Sequence, residues 1–170
     1  MNCRRSRLLL AGIALLASFA HAAPNAEALF ARCPGGPPAR DVLDRSIDAE
    51  FWRVGPVLTV FWSVDCAFCR RHNERLSRLL QEPSLGLTRV LGVSIDGRLD
   101  AVRGAVQKRG YSFPVIVDGA GPCALQPQLT DRKLVPMTCW LGPAPTQPRC
   151  VPGEMSEEDL RELLRQGSRR

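Results

Sequence analysis

Val57-Leu58-Thr59-Val60-Phe61-Trp62-Ser63-Val64 is a β-branched and aromatic run with almost no polar interruption. A strand of that kind has no face to offer water, so it belongs at the centre of a sheet covered on both sides. From Ala67 to Gln81 the apolar positions Phe68, Leu76, Leu79 and Leu80 stand among Arg, Glu and Asn, which gives an amphipathic helix ending before Pro83. The succession repeats. Leu87 to Ile95 is a second buried-type strand, Leu99 to Lys108 a second helix stopped by Gly110, and Phe113 to Val117 a third strand. Strands alternating with helices of this length specify an α/β domain with right-handed crossovers and a largely parallel sheet. The pattern then changes. After a short helix from Ala124 to Leu129, Met137 to Leu141 and Arg149 to Val151 flank a turn rich in Gly142, Pro143, Pro145 and Pro148, which predicts a terminal antiparallel hairpin. Ser156 as N-cap with Glu157, Glu158 and Asp159 opens a closing helix to about Gln166.

At 170 residues the chain holds one domain of ordinary size. Charged residues at 24% and hydrophobic ones at 45% exclude a disordered chain. Residues 1–22 read as a signal peptide: Arg4, Arg5 and Arg7, an apolar run from Leu8 to Ala20, and small residues placing cleavage after about Ala22. The apolar run falls short of the ~20 residues a bilayer core requires, so cleavage is favoured over a membrane anchor. Without that segment, 20 of the 23 basic residues face 17 acidic ones. Apart from Arg169-Arg170 no basic cluster is left for nucleic acid, which is excluded as a partner. Residues 23–39, rich in Ala, Pro and Gly, read as an irregular leader, with order beginning near Arg40 and the domain spanning 40–168.

Of seven cysteines, Cys3 leaves with the signal segment; Cys33, Cys66, Cys69, Cys123, Cys139 and Cys150 remain. An even number in an exported chain fits an oxidised framework in the periplasm. Cys66-Ala67-Phe68-Cys69 straddles the first turn of the helix that follows the central strand. Zinc would need a second pair at similar spacing, and the other cysteines are isolated, so no metal site is predicted. A structural disulfide closing so short a ring stabilises little. A redox dithiol gains from the position: the amides and positive end of the helix favour the thiolate of Cys66, which attacks a disulfide, and Cys69, one turn deeper, resolves the mixed disulfide. That chemistry implies no metal or organic cofactor. Asp65 disfavours the thiolate while Arg70, Arg71 and the helix end favour it, each effect being about 1 kcal/mol or less, so they nearly cancel. His72, three residues beyond Cys69, reads as a solvated surface residue in preference to a proton-exchange group.

The stretch from about Phe51 to Gln166 resembles the thioredoxin superfamily, and within it the exported TlpA/ResA-like thiol-disulfide oxidoreductases. The resemblance rests on the Cys66/Cys69 motif together with four features: Val60-Phe61-Trp62 ahead of it, the strand and helix block from Leu87 to Gly110 leading to Tyr111-Ser112-Phe113-Pro114-Val115, Val135-Pro136-Met137-Thr138, and Gly153 to Glu158. It implies a thioredoxin-like fold: a central mixed sheet flanked by helices, with a strand-helix insertion after the active-site helix and a terminal hairpin plus helix. It also implies Cys66 and Cys69 as the reacting pair, Pro136 as a cis-proline beside them, and Val135 and Phe68 as substrate-positioning residues. A free backbone edge at Val135 would pair with an extended substrate. The implied partners are protein disulfides and dithiols, with a membrane thiol-transfer protein as electron donor. Three residues depart from the family: Asp65 stands where Trp is common, Phe68 where Pro is common, and Val60 where thioredoxin carries a buried acid. Asp65 and Arg70 are the candidates for tuning Cys66. A dithiol without extra thiolate stabilisation is the better reductant, so a reductase is preferred over an oxidase or isomerase.

Cys139 and Cys150 flank the hairpin, and paired strands would bring them face to face in a disulfide worth roughly 3 kcal/mol. Cys33 and Cys123 are then left for each other, although four cysteines allow three pairings and Cys33 could stay free or join another chain. Two other classes compete. A metallochaperone would need a histidine remote from the cysteines, and His72 is the only one after Ala22. A redox-inactive binding domain would leave the motif unused.

Overall fold

The computed structural model describes residues 26–53, 56–85, 88–141 and 149–168. The signal segment with Cys3, the hairpin turn at 142–148 and Arg169-Arg170 lie outside them. In chain order the elements are α1 (Ala49–Arg53), β1 (Val57–Trp62), α2 (Ala67–Leu79), β2 (Arg89–Ser94), α3 (Leu99–Arg109), β3 (Val115–Val117), α4 (Gln126–Leu129), β4 (Met137–Leu141), β5 (Arg149–Pro152) and α5 (Glu157–Ser168). The five strands form one sheet in the order β3-β2-β1-β4-β5. β1, β2 and β3 are parallel. β4 runs antiparallel to β1, and β5 antiparallel to β4.

All six residues of β1 are buried, as its composition requires of the middle strand. Successive side chains serve opposite faces. Leu58, Val60 and Trp62 pack with Leu76 of α2, Val102 and Val106 of α3, and Leu160 and Leu164 of α5. Val57 and Phe61 pack on the other face with Trp52, Leu125, Leu129 and Met137. Gly92 in β2 has a packing reason: a Cβ there would lie 2.9 Å from the Phe113 ring. β3 starts only at Val115, because Pro114 has no N–H to give the ladder. The closing helix is capped as read, Ser156 Oγ accepting the Asp159 N–H at 3.1 Å.

The leader differs from its reading. Its backbone is irregular apart from a short turn at Ala28–Phe30, yet it is packed from Ala26 onward. The Phe30 ring meets Trp52 edge-on at 5.1 Å, and the Trp52 indole donates to the Pro38 carbonyl at 3.2 Å. Cys33 is bonded to Cys123. Order therefore starts well before Arg40. Pro and Gly prevent a repeating hydrogen-bond pattern but not burial, and Leu29-Phe30 supplied an anchor that composition averaged away. Next, the Val42 N–H donates to the Val115 carbonyl at 2.8 Å, so the turn at 41–45 covers the open edge of β3.

Candidate active site

β1, the middle strand, delivers the chain to the end of the sheet where Cys66 stands, and two side chains lock the connection. Asp96, just past β2, accepts the Val64 N–H at 2.7 Å and the Ser63 hydroxyl at 3.0 Å. Arg109 donates to the Val64 carbonyl at 3.0 Å. Cys66 is the N-cap of α2: its φ of −89° and ψ of 107° are extended, and its Sγ accepts the Cys69 N–H at 3.1 Å. Cys66 is half-buried and Cys69 has no exposed surface. The two are joined as a disulfide. One sulfur is thus open to a partner and the other is held behind it.

β4 brings the second part of the site alongside. Met137 pairs with Phe61, so the residues ahead of it reach the same end of the sheet as Cys66. The Val135–Pro136 peptide is cis. The Val135 carbonyl oxygen lies 3.8 Å from Cys66 Sγ, and the Pro136 carbonyl accepts the Gly153 N–H at 2.8 Å. Phe68 is 59% exposed on the first turn of α2, with the Arg71 guanidinium 4.8 Å from its ring centre. Cys66, Cys69, Val135, Pro136 and Phe68 therefore converge, whereas Cys33–Cys123 and Cys139–Cys150 form separate disulfides.

The charges divide into two groups. Asp65 is exposed and lies 3.8 Å from the exposed Arg98, a contact of the kind worth about 0–1 kcal/mol. Its repulsion of a Cys66 thiolate is accordingly offset by a cation that sequence did not point to. Arg70 is exposed on α2. Arg71 instead grips Glu154 through two bonds of 3.0 and 2.6 Å, and Arg75 pairs with the same carboxylate. The Arg71 guanidinium holds the Glu154 carboxyl below the usual carboxylate range, with Arg75 acting in the same direction.

His72 is not a surface residue. It has no exposed area, because Cys69, His72, Asn73 and Leu76 share the inward stripe of α2. Its Nδ1 accepts the Met155 N–H at 3.2 Å. The proton of the neutral ring then sits on Nε2, 3.1 Å from Thr138 Oγ1. Burial pushes the ring down to about 4 from an ordinary 6.5; Arg75 adds to this and Glu154 opposes it. Both nitrogens are engaged, so the ring ties α2 to β4 and to the turn at 153–156. A helical wheel phased on Cys69 would have found it; its polarity argued the other way.

Among the described residues no group of three or more His, Cys, Asp or Glu is placed to hold a metal ion. No described helix is long and apolar enough to cross a membrane.

No protein-family model matches the sequence, and no curated protein matches it. The fold, in contrast, has many solved counterparts. A thioredoxin-family thiol:disulfide interchange protein from Chlorobium tepidum superposes with a TM-score of 0.62 at 15% identity, covering 75% of this chain and 90% of that one. A secreted Mycobacterium tuberculosis disulfide oxidoreductase gives 0.58 at 17%, covering 74% and 92%. StoA from Bacillus subtilis gives 0.57 at 14%, covering 73% and 92%. The chain has the thioredoxin-like α/β fold, a mixed five-stranded sheet flanked by helices.

Proposed function

We propose that the protein is an exported, periplasmic thiol-disulfide oxidoreductase that reduces disulfides in polypeptides through Cys66 and Cys69, without metal or organic cofactor. The observation that carries this is the placement of Cys66: half-exposed, capping α2, with the Cys69 N–H directed at its sulfur from 3.1 Å. That N–H and the helix end stabilise negative charge on the sulfur that must attack. In the reduced protein the Cys66 thiolate attacks a substrate disulfide, forming a mixed disulfide and expelling one substrate thiolate. The Cys69 sulfur, as thiolate, then attacks Cys66 Sγ and expels the second. The substrate gains two electrons and ends as a dithiol, and the protein ends as the Cys66–Cys69 disulfide. A dithiol donor must restore it, and a membrane thiol-transfer protein suits an exported chain.

Polypeptide is the substrate class that fits the surroundings. The large hydrophobics exposed among the described residues are Phe68, Ile95, Leu99 and Leu134. They stand at the start of α2, just past β2, at the start of α3 and just before Val135, so all four belong to the end of the sheet that carries Cys66. Pro136 and Val135 hold the substrate main chain across the sulfur. The two further disulfides and the signal-like 1–22 support export. Arg98 is paired with Asp65 and Arg71 with Glu154, so neither adds to the helix end at the sulfur, and a dithiol without such extra thiolate stabilisation is the better reductant, which favours reductase over oxidase or isomerase. The test is dithiothreitol-driven insulin reduction: the protein accelerates it and Cys66→Ser does not. Equal rates in the two would refute the assignment.

A further inference from the structure

Between α2 and α3, on the side of Cys66 away from Val135, lies a cleft of about 680 Å³. The sides follow from the sheet: β2, which leads into α3, and β4, which follows Val135, flank β1 on opposite sides. α3 lines the cleft with Ala101, Gly104 and Lys108, positions three and four apart that share one helix face. Small side chains leave the gap open, and a Cβ at Gly104 would meet nothing within 4 Å. α2 contributes Arg70 and Glu74, and Arg109 at the end of α3 belongs to the same lining. Arg70 stands one turn from the nucleophile, its N–H bonded to the Cys66 carbonyl at 3.1 Å.

We propose that this cleft docks an acidic segment of the polypeptide partners while their disulfide meets Cys66. The inference deepens the oxidoreductase reading and rests on it. Charge carries it. Arg71 also lines the cleft, but its guanidinium is committed to Glu154, and beyond the cleft Arg75 is committed to Glu154 and Arg98 to Asp65. Among the described residues Arg70, Lys108, Arg109 and Glu74 have no ion-pair partner. Three cations therefore share the lining with one carboxylate, an excess of two positive charges in a concave setting that focuses their field. Arg109 is held by the Val64 carbonyl and, at 3.4 Å, by the Tyr111 hydroxyl, both uncharged acceptors, so its charge stays uncompensated. Arg70 and Lys108 are exposed and free to follow an incoming carboxylate. Cations carried on two helices along a cleft of this size suit successive carboxylates of one chain better than a single small anion. Such complementarity raises the encounter rate and selects partners more than it tightens the complex.

The test uses peptides whose single cysteine carries a disulfide-linked reporter thiol, with three Glu, Gln or Lys placed on one side of the cysteine or the other. A small uncharged disulfide is run in parallel, and each variant's peptide rates are divided by its own rate on that disulfide. In at least one placement the reduced protein is expected to show kcat/KM about fivefold higher for Glu than for Gln, with Lys below Gln. The advantage shrinks as salt is raised. Lys108→Glu and Gly104→Glu each abolish it, and Gly104→Ala keeps it; both changes at 104 put a better helix former at an exposed helix position. Equal rates for Glu, Gln and Lys in protein that reduces the small disulfide overturn the docking site and leave the dithiol reading intact. A Glu advantage that survives both Lys108→Glu and Gly104→Glu overturns it too. Millimolar phosphate at fixed ionic strength is expected to leave the advantage in place; its loss there makes the cleft a site for a free anion and overturns the docking of a segment. No turnover of the small disulfide overturns the dithiol reading itself, and the docking site with it.

Discussion

Cys66–Cys69 and Cys139–Cys150 are the same covalent bond in opposite settings. The first closes one turn at the start of a helix, with a half-exposed sulfur, an amide N–H aimed at it and a groove beside it. The second joins directly paired residues of β4 and β5, with Cys139 fully buried in the core under α1 and α4. A sulfur that a partner can reach, and whose thiolate the helix end stabilises, is built for exchange. A sulfur locked in a ladder is built to stay bonded. Cys33–Cys123 belongs with the second kind, since it pins the leader to the turn after β3.

The largest consequence concerns covalent intermediates. Cys69→Ser is expected to accumulate mixed disulfides between Cys66 and target proteins, seen as adducts on non-reducing gels, whereas Cys139→Ala/Cys150→Ala gives none and keeps reducing insulin. Adducts through Cys139 or Cys150 would break the distinction. The double substitution instead lowers stability, by about 3 kcal/mol if chain entropy dominates, read from urea unfolding. No change in the midpoint would show that the hairpin needs no staple.

A pH effect of similar size separates the buried framework of the site from its exposed charges. Below pH 6.5 the unfolded chain protonates His72, but the folded chain does so only near pH 4. Stability contributed by the neutral ring is therefore full above pH 6.5, falls with pH through that window and levels off below it. The loss is at most roughly 3 kcal/mol. His72→Leu is expected to flatten this slope in urea midpoints taken at pH 7 and pH 4.5; an unchanged slope would remove the buried ring from the account. The smallest effect is at Asp65. Because it is exposed and faces Arg98, Asp65→Asn is expected to speed alkylation of reduced Cys66 at pH 7 by only about twofold. A tenfold change would mean that Asp65 governs the thiolate.

The strand and helix succession was legible because β1, α2, β2 and α3 each carry a clear hydrophobic period, and the Cys66/Cys69 motif was legible because it falls at their junction. The Cys139–Cys150 bond followed from the hairpin pattern alone. What stayed hidden depends on contacts distant in sequence. Nothing local marks Asp96 as the residue that holds Ser63 and Val64, or Glu154 as the carboxylate on which Arg71 and Arg75 close. The burial of His72 and of Phe30 is hidden for a common reason: local polarity and loop composition point to the surface, while helix phase and a single apolar anchor decide for the core.

The most direct test reads both pairs in one sample. The protein is equilibrated in dithiothreitol and glutathione buffers of graded potential, quenched by alkylation and mapped by mass spectrometry. Cys66–Cys69 is expected to open near thioredoxin's potential, about −270 mV, while Cys139–Cys150 stays closed to below about −300 mV. Cys66–Cys69 opening ~100 mV higher would make the protein an oxidant or isomerase. Cys139–Cys150 opening together with it, or first, would contradict the division of labour between the two bonds.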